Sequence, residues 1–288
     1  MISFTPCIQI LRPKQWLKNL MLLFPPLFAG VLFTHDVLHN LAIPLLAFCI
    51  GSSANYAIND ALDAEKDACH PVKKNRPIPS GAIQAKTALA LAVCLFIVSL
   101  TLAFTVSLPF FFTLLGYLLI SSAYSFRLKD IPVIDIFCVS AGFLLRLHAG
   151  GIAFAIQISD WLFLSVFLLS IFLSLGKRIT EKQLLQDECA HHRPVLQEYP
   201  LEFLHGTMYM TGATVLVTYA MYVVVHPGLL YTIPLCCFGL FRYMYRVTKN
   251  ASGDPTEALL QDKVLLSVSL LWLLMISYVL YGDFLFGS

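Results

Sequence analysis

Read from its first residue, the chain alternates long apolar runs with short polar gaps. Nine runs stand out, over approximately 20–33, 41–58, 85–106, 109–123, 131–156, 161–175, 203–225, 229–244 and 264–286. None alternates with the period of two that marks a half-wet strand, so each reads as a helix. Several are shorter than the roughly 20 residues that cross a bilayer, and their boundaries are correspondingly soft. The polar stretches are unequal. Only 59–84, 176–202 and 246–262 are long, and they fall on alternate gaps.

Composition changes this picture from a helical protein to a helical membrane protein. Apolar residues make up 58% of the chain and charged residues 12%, with a mean hydropathy of +0.76. A soluble domain carries roughly 25% charged residues. In lipid every backbone polar group needs an internal partner, which leaves helices or a closed barrel. The expectation is an all-α integral membrane protein, one domain over 1–288, with nine transmembrane helices. No repeats or low-complexity segments divide the chain, and no nucleic acid partner is expected.

Charge placement sets the orientation. Threading nine spans gathers every Lys and Arg except Arg146 at one face. By the positive-inside rule that face is cytoplasmic, together with the N-terminus. An inner-membrane protein with its chemistry on the elaborated cytoplasmic face follows, the active-site loops being 59–84, 124–135 and 176–202. The net charge of +2 only averages two unlike faces. Arg12, Lys14 and Lys18 before an apolar run imitate a signal peptide, with Phe28-Ala29-Gly30 as a weak cleavage site. The Arg-Pro-Lys-Gln-Trp opening reads instead as a structured interfacial segment. Of eight cysteines, Cys49, Cys94, Cys138, Cys236 and Cys237 lie in apolar runs, where Cys acts as a small hydrophobe. Cys69 and Cys189 face the reducing side, no Cys-x-x-Cys occurs, and His191-His192 reads as a solvated loop.

The sharpest chemistry is in Asn59-Asp60-Ala61-Leu62-Asp63-Ala64-Glu65-Lys66-Asp67. On a helix continuing from the second span, Asp60, Asp63 and Asp67 would share one stripe. Three carboxylates repel one another unless cations neutralise them, and Mg²⁺ takes one or two carboxylates plus substrate phosphates. A solvated acidic helix end beside Lys73, Lys74 and Arg76 is the plainer alternative. Against it, the stripe directly follows an apolar run, where a carboxylate is costly. Lys73 and Arg76 offer phosphate contacts in a proline-fixed loop. Further clusters are Tyr124 to Lys129 leading to Asp135, Arg146 inside the fifth span, and Lys177-Arg178 closing the sixth. Lys177 and Arg178 also suit a helix C-terminus electrostatically. Asp254-Pro255-Thr256-Glu257 reads mainly as a loop capping the last helix.

The Asn59–Asp67 motif with Arg76-Pro77-Ile78 resembles the first aspartate-rich motif of the UbiA superfamily of intramembrane prenyltransferases. Arg12-Pro13-Lys14-Gln15-Trp16-Leu17-Lys18-Asn19, Tyr124-Ser125, Leu128-Lys129, Asp135, Gly142-Phe143 with Arg146, Ala149-Gly150-Gly151 and Gly176-Lys177-Arg178 are similar to its decaprenyl-phosphate phosphoribosyltransferase branch. The resemblance implies a Mg²⁺-dependent transfer from phosphoribosyl diphosphate to a polyprenyl phosphate embedded among membrane lipids. It implies that Asp60, Asp63 and Asp67 hold the metal and are catalytic, with Asn59 orienting them. Lys18, Lys73, Arg76, Tyr124, Lys129, Asp135, Arg146, Lys177 and Arg178 are then the candidates for substrate binding, and Arg12 joins Lys18 near the lipid phosphate. Aromatic prenyltransferases of the superfamily carry a second aspartate-rich motif after the sixth helix. Here that position reads Lys177-Arg178-Ile179-Thr180-Glu181, and Pro200 spoils the helical pairing of Glu198 with Glu202. Prenyl transfer from a polyprenyl diphosphate to an aromatic acceptor such as 4-hydroxybenzoate is the alternative, and an anion transporter is a more distant one.

Overall fold

The computed structural model describes residues 4–69, 73–185, 195–226, 228–249 and 252–286. Among them every regular element is helical. We number the α-helices α1 Phe4–Leu11, α2 Phe24–Phe28, α3 His35–Asn40, α4 Ala42–Leu62, α5 Ala64–Ala68, α6 Ala85–Val106, α7 Leu108–Phe126, α8 Ile134–Ala153 and α9 Asp160–Leu185. They continue as α10 Val195–Glu198, α11 Leu201–Val224, α12 Ile233–Thr248, α13 Pro255–Gln261 and α14 Lys263–Phe286.

Seven segments are long and apolar enough to cross a membrane: His35–Leu62, α6, α7, α8, Asp160–Leu184, α11 and Lys263–Gly282. The other two expected spans are less regular. The first begins at the end of a 3₁₀ helix, Pro13–Leu23, and continues into the five-residue α2, where Pro25 and Pro26 withhold backbone donors. The eighth starts as a 3₁₀ turn over Leu229–Thr232 behind Gly228, then continues as the 16-residue α12. His191, His192 and Cys189 lie outside the described residues.

The helices form two packed groups joined by α8. In one, α4 packs on α6 and α7; in the other, α9 packs on α11 and α12. Ser99 of α6 donates to the Ala47 carbonyl of α4 at 2.8 Å, a polar tie inside an apolar interface. α6 is peripheral: only 17% of its most apolar stretch is buried, against 61% for His35–Leu62. Its outward side chains, Ile97 and Phe104 among them, are dressed for lipid.

Two contacts close the bundle. The Pro13–Leu23 segment lies so close to α8 that a Cβ on Gly150 would sit 2.1 Å from the Leu22 carbonyl oxygen. Only glycine permits that approach. At the far end of the chain, the Tyr281 hydroxyl donates to Pro26 and Leu27 carbonyls, at 3.0 and 2.9 Å, joining the last helix to the first span.

Candidate active site

A cavity of about 260 Å³ opens where the C-terminal ends of α4, α7 and α9 meet the N-terminal half of α8. Its wall carries Asn59, Asp63, Asp67, Lys73, Arg76, Tyr124, Lys129, Arg146, Lys177, Arg178 and Lys18, so eleven of the thirteen site residues expected from sequence converge there. Asp60 and Asp135 are the exceptions. Neither is on the wall, and they are 1% and 0% exposed.

The aspartate motif is not one continuous helix. α4 ends at Leu62, Asp63 sits at the break with φ −94° and ψ 6°, and α5 restarts at Ala64. The break splays the three carboxylates onto different partners. Asp60 accepts from Arg12, and from Arg76 at 3.0 Å. Asp63 accepts from Lys129 at 2.6 Å. Asp67 accepts from Arg76 at 2.5 Å, with Lys73 3.8 Å away. Among the described residues no three His, Cys, Asp or Glu side chains come close enough together to hold a metal ion. The donor set that faces the cavity is therefore Asp63 and Asp67, with Asp60 held behind them by two guanidinium groups. A pair of carboxylates completed by phosphate oxygens and water suits Mg²⁺, whereas an all-protein cage would not. Burial lowers the Lys73 ammonium below its ordinary range, with Glu181 and Asp67 opposing the shift.

Across the cavity lies a second charged group. Lys177 Nζ is 3.1 Å and Lys18 Nζ 3.5 Å from the same oxygen, Oδ2 of Asp254. Burial pushes the Lys18 ammonium down to about 8 against the pull of Asp254. Burial alone would raise the Asp254 carboxyl; Lys177 and Lys18 outweigh it and hold the group well below the usual carboxylate range. Arg146 is anchored at 2.8 Å on Asn19 Oδ1, at 2.8 Å on the Gly142 carbonyl and at 2.7 Å on the Tyr117 hydroxyl. Its guanidinium lies over the Tyr117 ring, 4.5 Å from the centroid. Val139, Phe143 and Leu173 supply apolar wall beside these cations.

Asp135 works from inside the protein. Arg178 Nε donates to its Oδ2 at 2.7 Å and the Tyr199 hydroxyl donates to its Oδ1 at 2.6 Å. Tyr199 in turn accepts from the Val133 amide at 2.5 Å, holding Val133 at φ +68° just ahead of α8. That left-handed geometry is unfavourable for a β-branched residue and needs such an anchor. Arg178 also donates to Glu181 at 2.6 Å and to the Tyr124 hydroxyl at 3.0 Å, which ties Tyr124 to the same frame. Asp135 is thus a positioning residue for Arg178.

Arg12, expected near the lipid phosphate, donates to Asp60 and lies 5.0 Å over the Tyr56 ring. Other wall residues had no site role in the sequence. Tyr117 and Asn55 sit in apolar runs that carry no polar signal of their own; Asn55 Nδ2 is buried without a partner while lining the cavity. Asp254 matches a helix cap so well that its second oxygen has no sequence signature.

An all-helical bundle with a charged cavity at one end defines an integral membrane protein of the intramembrane-transferase type. The chain belongs to the UbiA prenyltransferase family, whose model matches residues 23–274. It is 36% identical over 286 residues to a decaprenyl-phosphate phosphoribosyltransferase of Corynebacterium glutamicum, covering 95% of this chain and 86% of the relative. A protein of the same description from Mycobacterium tuberculosis is 31% identical over 275 residues, covering 92% and 91%. Among solved structures, a UbiA homologue from Archaeoglobus fulgidus bound to GPP and Mg²⁺ superposes with a TM-score of 0.74 at 20% identity, covering 96% of this chain and 99% of that one. This last likeness concerns the fold.

Proposed function

We propose that the protein transfers the 5-phosphoribosyl group of phosphoribosyl diphosphate to a polyprenyl phosphate and releases diphosphate. The observation that carries the reading is the cation excess of the cavity: Lys177 and Arg178 stand on α9, which runs on past them to Leu185, and face two carboxylates on the opposite wall. A sugar diphosphate and a lipid phosphate are both anionic, and binding them side by side demands such an excess. Full-length resemblance to the two phosphoribosyltransferases supports the same assignment.

In this reading Asp63 and Asp67, backed by Asp60, hold Mg²⁺ against the donor diphosphate, and Asn59 orients the pair. The metal would neutralise charge developing on the departing diphosphate. Arg76, Lys73 and Lys129 share that task from the same wall. Lys18, Arg146 and Lys177 face the other anions, with Arg178 fixed by Asp135 behind them and Tyr124 by Arg178. An acceptor phosphate oxygen forms the new bond to C1 while the C1–oxygen bond to diphosphate breaks, and the diphosphate keeps the bonding pair. A phosphate monoester is already largely dianionic at neutral pH, with a second pKa of about 6, so the step requires no general base.

The proposed topology has nine spans, with the irregular first and eighth over approximately 20–33 and 229–244. The N-terminus and the cavity mouth lie on the cytoplasmic side of the inner membrane, supported by the crowding of Lys and Arg at that end. The deciding experiment supplies purified protein with radiolabelled phosphoribosyl diphosphate, polyprenyl phosphate and Mg²⁺. Acid-labile, lipid-extractable label that requires all three is expected. Prenyl transfer from a polyprenyl diphosphate to 4-hydroxybenzoate, with no label in lipid, would overturn the assignment.

A further inference from the structure

Asp254 divides its two oxygens between two jobs. Oδ1 caps α13, accepting from the Thr256 amide at 3.1 Å and the Glu257 amide at 3.4 Å. Oδ2 bridges Lys18 and Lys177 on the cavity wall. The capping bonds fix the carboxylate rotamer, so the position of Oδ2 is set before any ligand arrives. The loop itself is pinned. The Gly253 carbonyl accepts from the Tyr243 hydroxyl at 2.7 Å, and a Cβ on Gly253 would fall 2.3 Å from Thr180 Oγ1. Asp254 is therefore held rigidly against α9 beside Gly176, Lys177 and Thr180.

Its charge sets the charge of the subsite. Lys18, Lys177 and Arg146 face this side of the cavity, and Asp254 cancels one of the three, leaving two net positive charges. A phosphate monoester carries about two negative charges at neutral pH, and an additional phosphoryl group adds about one more. We infer that Asp254 is a specificity-determining residue that tunes the Lys18, Lys177 and Arg146 subsite to a phosphate monoester and disfavours a diphosphate there. This inference builds on the proposed transfer, in which two monoesters are available: the lipid acceptor's phosphate and the 5-phosphate of the donor. A misplaced diphosphate, whether of the donor or of a lipid, meets Oδ2 as a fixed negative charge. The two carboxylates of the opposite wall thereby remain the preferred place for diphosphate.

The test measures calorimetric binding to the full-length protein, so it does not depend on turnover. Its probes are polyprenyl phosphate, polyprenyl diphosphate of the same chain length, and ribose 5-phosphate. Asp254→Asn and Asp254→Ser both keep a capping oxygen and remove the charge. The wild type is expected to bind polyprenyl phosphate more tightly than the diphosphate. Both variants are expected to shift that ratio toward the diphosphate by about tenfold, the effect of one unit charge about 10 Å away at an effective dielectric constant of about 20. A change in monoester affinity seen with polyprenyl phosphate alone assigns the subsite to the lipid; a change seen with ribose 5-phosphate alone assigns it to the donor. Variants that melt like the wild type and keep its ratio and affinities overturn the inference. A wild type that shows the preference but transfers no phosphoribosyl group would sink the proposed reaction and leave the subsite standing.

Discussion

Arg178 Nε donates to Asp135 Oδ2 at 2.7 Å, with both side chains almost closed to solvent. The cation that faces the cavity is thus aimed by a carboxylate that never reaches it. Removing one partner of such a pair strands the other in a dry interior, at about 3–5 kcal/mol. Asp135→Ala should therefore melt well below the wild type in detergent. Asp135→Asn, which keeps the shape and the Tyr199 bond, should lose less stability than Asp135→Ala. Equal melting of all three proteins would remove Asp135 from the frame.

Asp63 has a direct place on the wall. Asp63→Asn is expected to cut turnover by at least about a hundredfold, in the range seen when a charge-stabilising group is lost from an active site. Its melting temperature should stay near that of the wild type, because Asp63 sits at a helix break and not in the apolar core. Near-normal turnover in a folded variant would end the assignment of Asp63 to the metal.

Chelation provides an independent check. Turnover should stop in excess EDTA and return on adding Mg²⁺, while calorimetric binding of ribose 5-phosphate persists. Full activity in chelator would refute the metal requirement.

Lys18 predicts a pH limb. Its ammonium titrates near pH 8 in the free protein, so its charge is present below that value and lost above it. kcat/KM should fall as pH rises through about 8, and Lys18→Arg should carry the limb to higher pH, since Arg stays charged. Stability has the opposite sign. A lysine depressed from 10.5 binds fewer protons folded than unfolded between about 8 and 10.5, so its contribution to stability rises across that window. A fall in kcat/KM accompanied by falling stability, or no fall up to pH 9.5, would refute the assignment.

Gly150 tests the first span. A methyl group there meets the Leu22 carbonyl, so Gly150→Ala must push the Pro13–Leu23 segment off α8. The expected cost is about 1–3 kcal/mol of stability, typical of overpacking. Activity should fall as well, because that segment carries Lys18 and Asn19. An unchanged melting temperature would show that the two elements are not tightly packed.

The sequence by itself determined the class. Uninterrupted apolar runs leave lipid as the only solvent, and charged residues that cannot be dispersed collect at one end, which is why most of the candidate site was legible. Periodicity could not reveal that Asp63 ends a helix, because a one-residue break leaves the spacing of Asp60, Asp63 and Asp67 untouched. Nor could it separate Asp60 and Asp135, which turn inward to guanidinium partners, from Asp63 and Asp67, which face the cavity. Those assignments depend on partners 9 to 66 residues away, such as Arg76 and Lys129. Asp254 is the clearest case. A local pattern accounts for one of its oxygens, while the other acquires its role only when folding brings Lys18 and Lys177 beside it. Local spacing fixes which face of a helix a residue occupies; tertiary packing decides which charge it meets there.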